Sequence, residues 1–190
     1  MSEGDTLSDA EVIRLVRAGD RNAFRSLVMR HQRKIYSLIA RQVQDPEIAS
    51  ELTQDAFVRA FRHLNRFEAR SSFETWLYCI ALNVTRSYFS SRRYKEALKT
   101  TTLPEELGEP PGEAPAGAAT EGESAVMMKF LETAIAGLKP IYREPLILCR
   151  FERKTYQEAG IILGIPEGTV CSRLNTAVIQ LRKQFAKYRI

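Results

Sequence analysis

Residues 155–176 read TYQEAGIILGIPEGTVCSRLNT, and their punctuation decides how the C-terminal part of the chain is read. Thr155 with Glu158 forms a capping box, in which hydroxyl and carboxylate satisfy the first backbone donors of a helix. Gly164 supplies the residue on which such a helix ends, and Pro166 stands where a following helix places its first residue. The product is a short helix, a tight turn and a longer amphipathic helix, the arrangement of a helix-turn-helix. On the second helix Val170, Leu174, Ala177 and Leu181 follow a four-three-four spacing and are expected to face the core. Cys171, Ser172, Arg173, Asn175 and Thr176 are left outward. Arg can pair with guanine, Asn with adenine, and Ser or Thr with either. Only Arg173 is basic, so phosphate anchoring is expected from outside this helix, at Arg150, Arg153 and Lys154 just before it. The basic run from Arg182 to Arg189 could add to this, although helices often end in cations for dipole reasons alone. An amphipathic helix pair inside a bundle, with a solvated polar face, fits the same pattern.

Working outward, Ser124 is expected to cap a helix carrying Met127, Phe130, Leu131 and Ala134. A second helix should start near Pro140, and Pro145 should kink it or shift its start by removing a backbone donor. Residues 101–126 read TTLPEELGEPPGEAPAGAATEGESAV, rich in Pro, Gly, Ala and Glu and without an aromatic. Such a stretch cannot bury enough apolar surface to offset its chain entropy, so residues 100–123 are expected to be a flexible linker. Charge divides the chain at the same place. Residues 1–99 carry net +5, residues 100–125 net −6 with six glutamates and no Lys or Arg, and residues 126–190 net +6. The overall net charge of +5 suits a polyanionic partner.

The N-terminal block is helical throughout. Phe24, Leu27, Val28, Ile35, Leu38 and Ile39 recur at three and four residues, with His31 completing the stripe. Asp20 caps that helix and Gly19 closes the one before it, which starts near Asp9. Asp45-Pro46 opens another, whose face is Ala49, Leu52, Ala56, Ala60 and Leu64. Ser71 with Glu74 reads as a capping box for a long helix towards Arg92. The fold class expected is therefore all-α, with helical domains at 1–99 and 124–190.

Between Phe67 and Phe89 aromatics alternate with Arg and Asn, and Arg92-Arg93-Tyr94-Lys95 follows. Aromatic faces beside cations can stack unpaired bases. Phe73, Trp76, Leu77 and Ile80 at helical spacing are read as core. Phe67, Glu68, Arg70, Ser71 and Ser72 in the preceding loop, with Asn83 and Arg86 on the helix, are the candidate contacts.

Together these stretches resemble the extracytoplasmic-function sigma factors of bacterial RNA polymerase. Gly19-Asp20 with Ala23-Phe24, then Asp55-Ala56-Phe57-Val58-Arg59-Ala60-Phe61, then Phe67 with Ser72 through Tyr78 and Ile80 through Asn83 carry the likeness in the first half. Thr155 through Glu158, Gly164 through Val170 and Ser172-Arg173-Leu174 carry it in the second. The resemblance implies a helical, non-enzymatic initiation factor. Gln54, Asp55, Phe57, Arg59 and Arg62 would bind the clamp of core RNA polymerase. Phe67, Glu68, Arg70, Ser71, Ser72, Asn83 and Arg86 would melt and capture the −10 element, holding a flipped base. Arg153, Thr155, Thr169, Cys171, Ser172, Arg173, Asn175 and Thr176 would read the −35 element. The linker would thread towards the RNA exit path, where its acidity suits a basic channel; replacing its six glutamates with glutamine should then alter initiation or promoter escape. An anti-sigma factor, often membrane-linked in this family, is an expected partner.

The sequence departs from the family where Cys171 replaces a basic residue, where Asn175 and Thr176 replace larger or basic ones, and at Ala159-Gly160. That last pair is smaller than usual and should loosen packing of the short helix. A stand-alone helix-turn-helix regulator also accounts for the C-terminal part, but not for the aromatic-basic stretch, and a helical adaptor explains neither the charge blocks nor the capped motif. No nucleophile–base set, phosphate-cradling Gly loop or paired carboxylates suggest an enzyme, and no cofactor or small-molecule substrate is expected. His31 and His63 lack the companions of a metal site. Three cysteines, Cys79, Cys149 and Cys171, without a CxxC spacing point to a reducing compartment. With no secretory signal and no apolar membrane span, the expected location is the cytoplasm. Cys171 could in principle act as a redox switch, but a small exposed-face residue is the simpler reading.

Overall fold

The computed structural model describes residues 7–91 and 121–186, and all regular structure among them is helical. Helices α1 to α4 span Asp9–Arg17, Phe24–Val43, Pro46–His63 and Phe73–Ser90. Helices α5 to α8 span Glu121–Ala136, Pro140–Leu146, Tyr156–Leu163 and Glu167–Ala186. Two compact units divide the chain: one runs up to Ser87 and takes in Ile161–Gly164, the other holds the remainder. None of the described helices is long and apolar enough to cross a membrane.

Local chemistry explains the starts and stops of the first unit. Ser8 caps α1 in a reciprocal box with Glu11, and that pair of Ser8 hydrogen bonds holds the Glu11 carboxyl below its usual range. Gly19, at φ +111°, turns the chain after Ala18. Asp20 accepts from the N–H groups of Asn22 and Ala23 and so caps a 3₁₀ turn that leads into α2, rather than capping α2 itself. Asp45 caps α3 with Pro46 at its first position.

The core of this unit forms where α2 and α3 pack side by side. Leu27, Ile35, Leu38 and Ile39 from α2 are fully buried against Ala49, Ala56 and Ala60 from α3. Small residues on one helix and branched ones on the other let the backbones approach closely, and each buried Leu or Ile stabilises by roughly 1.5–3 kcal/mol. Two threonines caught inside are satisfied locally. Thr53 and Thr85 donate to the carbonyls four residues back, Ala49 and Ala81, at 2.7 and 2.9 Å. His31 is buried as part of the stripe, and its Nε2 lies 2.7 Å from Asp9 Oδ2, linking α2 to the start of α1.

In the second unit α8 packs along α6 and against α5. Val170, Leu174 and Ala177 are buried and Leu181 is half-buried, as the four-three-four spacing predicts. Phe185, in the basic C-terminal run, stacks edge-on against Phe130 of α5 at 5.0 Å, so that run is anchored to the core by an aromatic. Helix α5 begins at Glu121, three residues before Ser124. Ser124 therefore lies inside the helix and not at the position before its first residue. The last three residues of the expected linker are thus helical; the rest of the linker, Arg92 through Lys95, and Lys187 through Arg189 lie outside the described residues. Pro145 neither ends nor restarts α6. The helix runs through it into a π-turn at Ile147–Phe151, where Glu152 N–H reaches back to Ile147 at 3.0 Å.

The Thr155–Glu158 box is formed, with the Thr155 hydroxyl accepting from Glu158 N–H at 3.1 Å and the Glu158 carboxylate accepting from Thr155 N–H at 2.8 Å. Gly164 is left-handed at φ +67°. Packing at Ala159-Gly160 is tight, not loose. Ala159 is fully buried, and a Cβ on Gly160 would stand 2.8 Å from the Ile165 carbonyl oxygen. The absent side chain lets the turn fold directly onto α7, where Ile165 N–H donates to Gly160 at 3.0 Å. Gly160→Ala must push that backbone aside. It is expected to destabilise the second unit by about 1–3 kcal/mol, read as faster amide exchange across residues 155–177 with residues 24–60 unchanged.

Candidate nucleic-acid and polymerase interfaces

On α3 the exposed surface is the side opposite the alanine face. Gln54 and Arg62 are exposed, and Arg59 grips Asp55 four residues earlier through two contacts, at 2.9 and 3.1 Å. An exposed pair of this kind contributes about 0.3–0.5 kcal/mol; its effect is to fix the direction of both side chains. Exposed Val58 adds apolar surface among them. Phe57 differs from its four companions: it is buried, on the core side of α3 with Thr53, Ala56 and Ala60. An accessible patch therefore consists of Gln54, Asp55, Val58, Arg59 and Arg62.

The second region is the loop between a 3₁₀ turn at Leu64–Arg66 and α4. Phe67 points inward, with its ring 5.1 Å from Trp76 and 6.0 Å from Phe73. Phe73 in turn packs on His31 at 5.4 Å. This aromatic group, half-buried Trp76 included, fixes one end of the loop in the core. Glu68, Ala69 and Arg70 are exposed, and Arg70 Nε donates to Glu68 Oε2 at 2.7 Å. Ala69 is left-handed at φ +54°, a conformation disfavoured for any residue with a Cβ.

The cap of α4 is shifted by one residue from the expected box. Ser72 Oγ accepts from Thr75 N–H at 3.1 Å and lies 2.9 Å from the Thr75 hydroxyl. Glu74, relieved of a capping role, instead accepts from Lys34 Nζ at 2.6 Å and lies 3.8 Å from His31 Nδ1. Ser71 makes only a long 3.4 Å bond to the Ser72 carbonyl. Asn83 and Arg86 are exposed on α4, 3.4 Å apart through Asn83 Oδ1 and Arg86 Nη1. From Phe73 to Asn83 is ten residues, about 15 Å of helix rise. The loop and the Asn83–Arg86 pair therefore do not converge on one small site.

One contributor was not foreseen. Arg17, at the end of α1, donates from Nη2 to the Leu64 carbonyl at 2.9 Å and also to the Phe67 carbonyl. No local pattern announces a contact made across 47 to 50 residues; an arginine in the last turn of a helix reads simply as a dipole partner.

The third region is α8. With 100° per residue, Ser172, Asn175 and Thr176 form the centre of the outward face, and exposed Ile179 and Lys183 continue it. Arg173 and Cys171 are half-buried and lie on opposite flanks of that face. The hydroxyls of Ser172 and Thr176 donate to the carbonyls of Thr169 and Ser172, both at 3.0 Å, which leaves their lone pairs to accept from a base. The Asn175 amide nitrogen lies 3.9 Å from Cys171 Sγ. Thr169 is half-buried at the first turn. The Thr155 hydroxyl is committed to its capping box. Arg153 is exposed and left-handed at φ +54°, on the bend between the π-turn and α7. Neither Arg153 nor Arg173 has an ion-pair partner among the described residues. Burial pushes the Cys79 and Cys149 thiols up, against smaller opposing effects of Arg86 and Arg150 respectively.

The described residues are thus all-helical, with an anchored polar loop in one region and a helix-turn-helix in another. The family models agree: Sigma-70 region 2 matches residues 27–94 and Sigma-70, region 4 matches residues 131–181. The RNA polymerase sigma-H factor of Pseudomonas aeruginosa is 32% identical over 87% of this chain and 88% of its own length. The ECF RNA polymerase sigma-E factor of Escherichia coli is 30% identical over 90% of each. Among solved structures, CnrH in complex with the cytosolic domain of CnrY aligns with a TM-score of 0.64 at 22% identity, covering 93% of this chain and 96% of that one. The sigma factor RpoE of Bartonella quintana, in complex with the anti-sigma factor NepR, gives 0.64 at 21%, covering 86% and 96%. The chain belongs to the extracytoplasmic-function sigma factors of bacterial RNA polymerase. It is a transcription-initiation factor and not an enzyme, and its partners are core RNA polymerase and promoter DNA.

The shifted cap separates two serines that the sequence presents as equivalents. Ser72→Ala is expected to cost the first unit about 1 kcal/mol, the usual loss for an N-cap. Ser71→Ala should stay within about 0.5 kcal/mol of the parent. Urea unfolding followed by Trp76 fluorescence distinguishes them.

Proposed function

We propose that the three regions divide the work of promoter-specific initiation. The exposed side of α3, with Gln54, Asp55, Arg59 and Arg62, takes the polymerase clamp, while buried Phe57 supports that surface from beneath. The loop from Phe67 to Ser72 captures an extruded base of the −10 element, and Asn83 with Arg86 meets a different nucleotide further along α4. The observation that carries this reading is the loop itself: its root is fixed in an aromatic core while its tip stays polar and exposed. Base extrusion costs a few kcal/mol, and a preformed acceptor lowers the ordering entropy that capture would otherwise add.

The outward face of α8 reads the −35 element through Ser172, Asn175 and Thr176 at its centre. Arg173 lies on one flank and Cys171 on the other, where a helix seated in the major groove meets phosphates rather than base edges. Arg153 anchors from the bend before α7. A polymerase-bound factor of this kind acts in the cytoplasm. An anti-sigma factor that covers the clamp-binding or DNA-binding surfaces would hold it inactive; the similar fold of RpoE, solved in complex with the anti-sigma factor NepR, supports that reading.

Run-off transcription with purified core polymerase and promoter fragments from the protein's own locus tests the whole assignment. Transcripts from a defined start are expected only when the chain is present, whereas a stand-alone regulator would bind its operator without core and start nothing. Cys171→Arg is expected to tighten binding to duplex −35 DNA and to increase the magnitude of the salt slope by about one, the contribution of one added phosphate contact. An unchanged slope in a salt titration would place position 171 off the DNA.

A further inference from the structure

We infer that Arg17 is a positioning residue for −10 strand capture, holding from α1 the backbone of the loop that presents the captured base; the inference rests on the assignment of that loop under the proposed function. The two hydrogens of Arg17 Nη2 go to the carbonyls of Leu64 and Phe67, the first at 2.9 Å. These are the carbonyls at which the chain leaves its helical ladder. Leu64 already accepts from Phe67 N–H at 3.1 Å, and Phe67 is the residue from which the loop departs. A charged donor bridging both fixes the direction of that departure.

The grip has a firm origin. At the other end of α1, Asp9 is held by Arg30 at 3.0 Å and by His31 at 2.7 Å. His31 is buried beneath Phe73, and Phe73 is one of the rings on which Phe67 rests. The loop is thus fixed twice at Phe67, by its ring from the aromatic core and by its carbonyl from Arg17. Two residues later the chain adopts the disfavoured left-handed turn at Ala69. Strain of this kind persists only where neighbouring contacts over-determine the backbone. Without Arg17 the carbonyl end can rotate, Ala69 can relax to φ below zero, and Glu68 and Arg70 would no longer flank a preformed acceptor.

The test uses the full chain bound to core polymerase and a non-template −10 oligonucleotide carrying 2-aminopurine at the extruded position. Arg17→Met keeps the apolar stem and removes the donors. It is expected to weaken capture about tenfold, with unchanged affinity for core and an unchanged salt slope. Arg17→Lys, which restores a cationic donor, should recover part of the loss, and it replaces Arg17→Met as the test if the latter is not folded at the assay temperature. A third variant with Glu68, Ala69 and Arg70 all changed to glycine tests the loop assignment itself. If the glycine variant captures the base normally, that assignment fails. If the glycine variant loses capture but Arg17→Met and Arg17→Lys both retain it, Arg17 has no positioning role. A salt slope reduced by about 0.7 in Arg17→Met would overturn the inference in another way, by making Arg17 a direct phosphate contact on the single strand.

Discussion

The packing of Phe67 on Trp76 and Phe73 is the interaction on which the first unit's exposed loop depends. A six-residue connection between two helices has backbone groups that the helices no longer satisfy, and left alone it would sample many conformations. Burying one large ring at its first position removes most of that freedom. The ring can be buried because α4 begins with Phe73 and turns Trp76 towards the same spot one turn later, while His31 fills the space under Phe73. Apolar area on α4 is thus used twice, as core for the unit and as foundation for the loop.

That arrangement also settles the capping of α4. Ser71 and Ser72 both have a suitable side chain, and Glu74 at the third position beyond Ser71 favours a box there. Starting the helix at Phe73 makes Ser72 the cap. Glu74 can then turn to Lys34 and the His31 ring. The choice between adjacent serines is therefore set by packing and by a charge on another helix, and both are invisible in a local pattern. The same reasoning covers Phe57. The alanine stripe of α3 is legible at its spacing, but the buried face is wider than one stripe and takes in Thr53 and Phe57 as well. A residue beside the stripe can be read as surface when it is core.

What was legible had local causes. The caps Asp45-Pro46 and Thr155–Glu158, the left-handed glycines 19 and 164, and the faces of α2 and α8 each follow from residues within one or two turns. What was not legible was long-range or required an unusual backbone. Arg17 reaches carbonyls some fifty residues away. Ala69 and Arg153 adopt a conformation for which the sequence offers no glycine. The Ala159-Gly160 pair shows how a missing side chain can be misread. Judged by volume it suggests loose packing, but the void is filled by backbone, because the Ile165 carbonyl occupies the place a Cβ would take. Smallness there permits contact instead of forgoing it.

Helix α8, poor in charge over its first turns, follows the same economy of placement. The residues at the centre of its outward face are short, and two of them direct their hydroxyl hydrogens into the helix itself. Such groups offer acceptors to a base without bringing a long, mobile chain to be ordered on binding. Two cations with no ion-pair partner among the described residues, Arg153 and Arg173, sit at the bend before α7 and on a flank of α8. Discrimination would then come from short side chains held close to the helix axis, and affinity from guanidinium groups at the margins, where small errors of position are tolerated by a phosphate but not by a base edge. Because few cations lie on or beside the start of α8, the proposed reading implies that its binding to duplex alone is weak. A factor that engages DNA only when polymerase holds it in place is better served by that weakness than by a strongly basic helix, which would bind the rest of the chromosome as readily as a promoter.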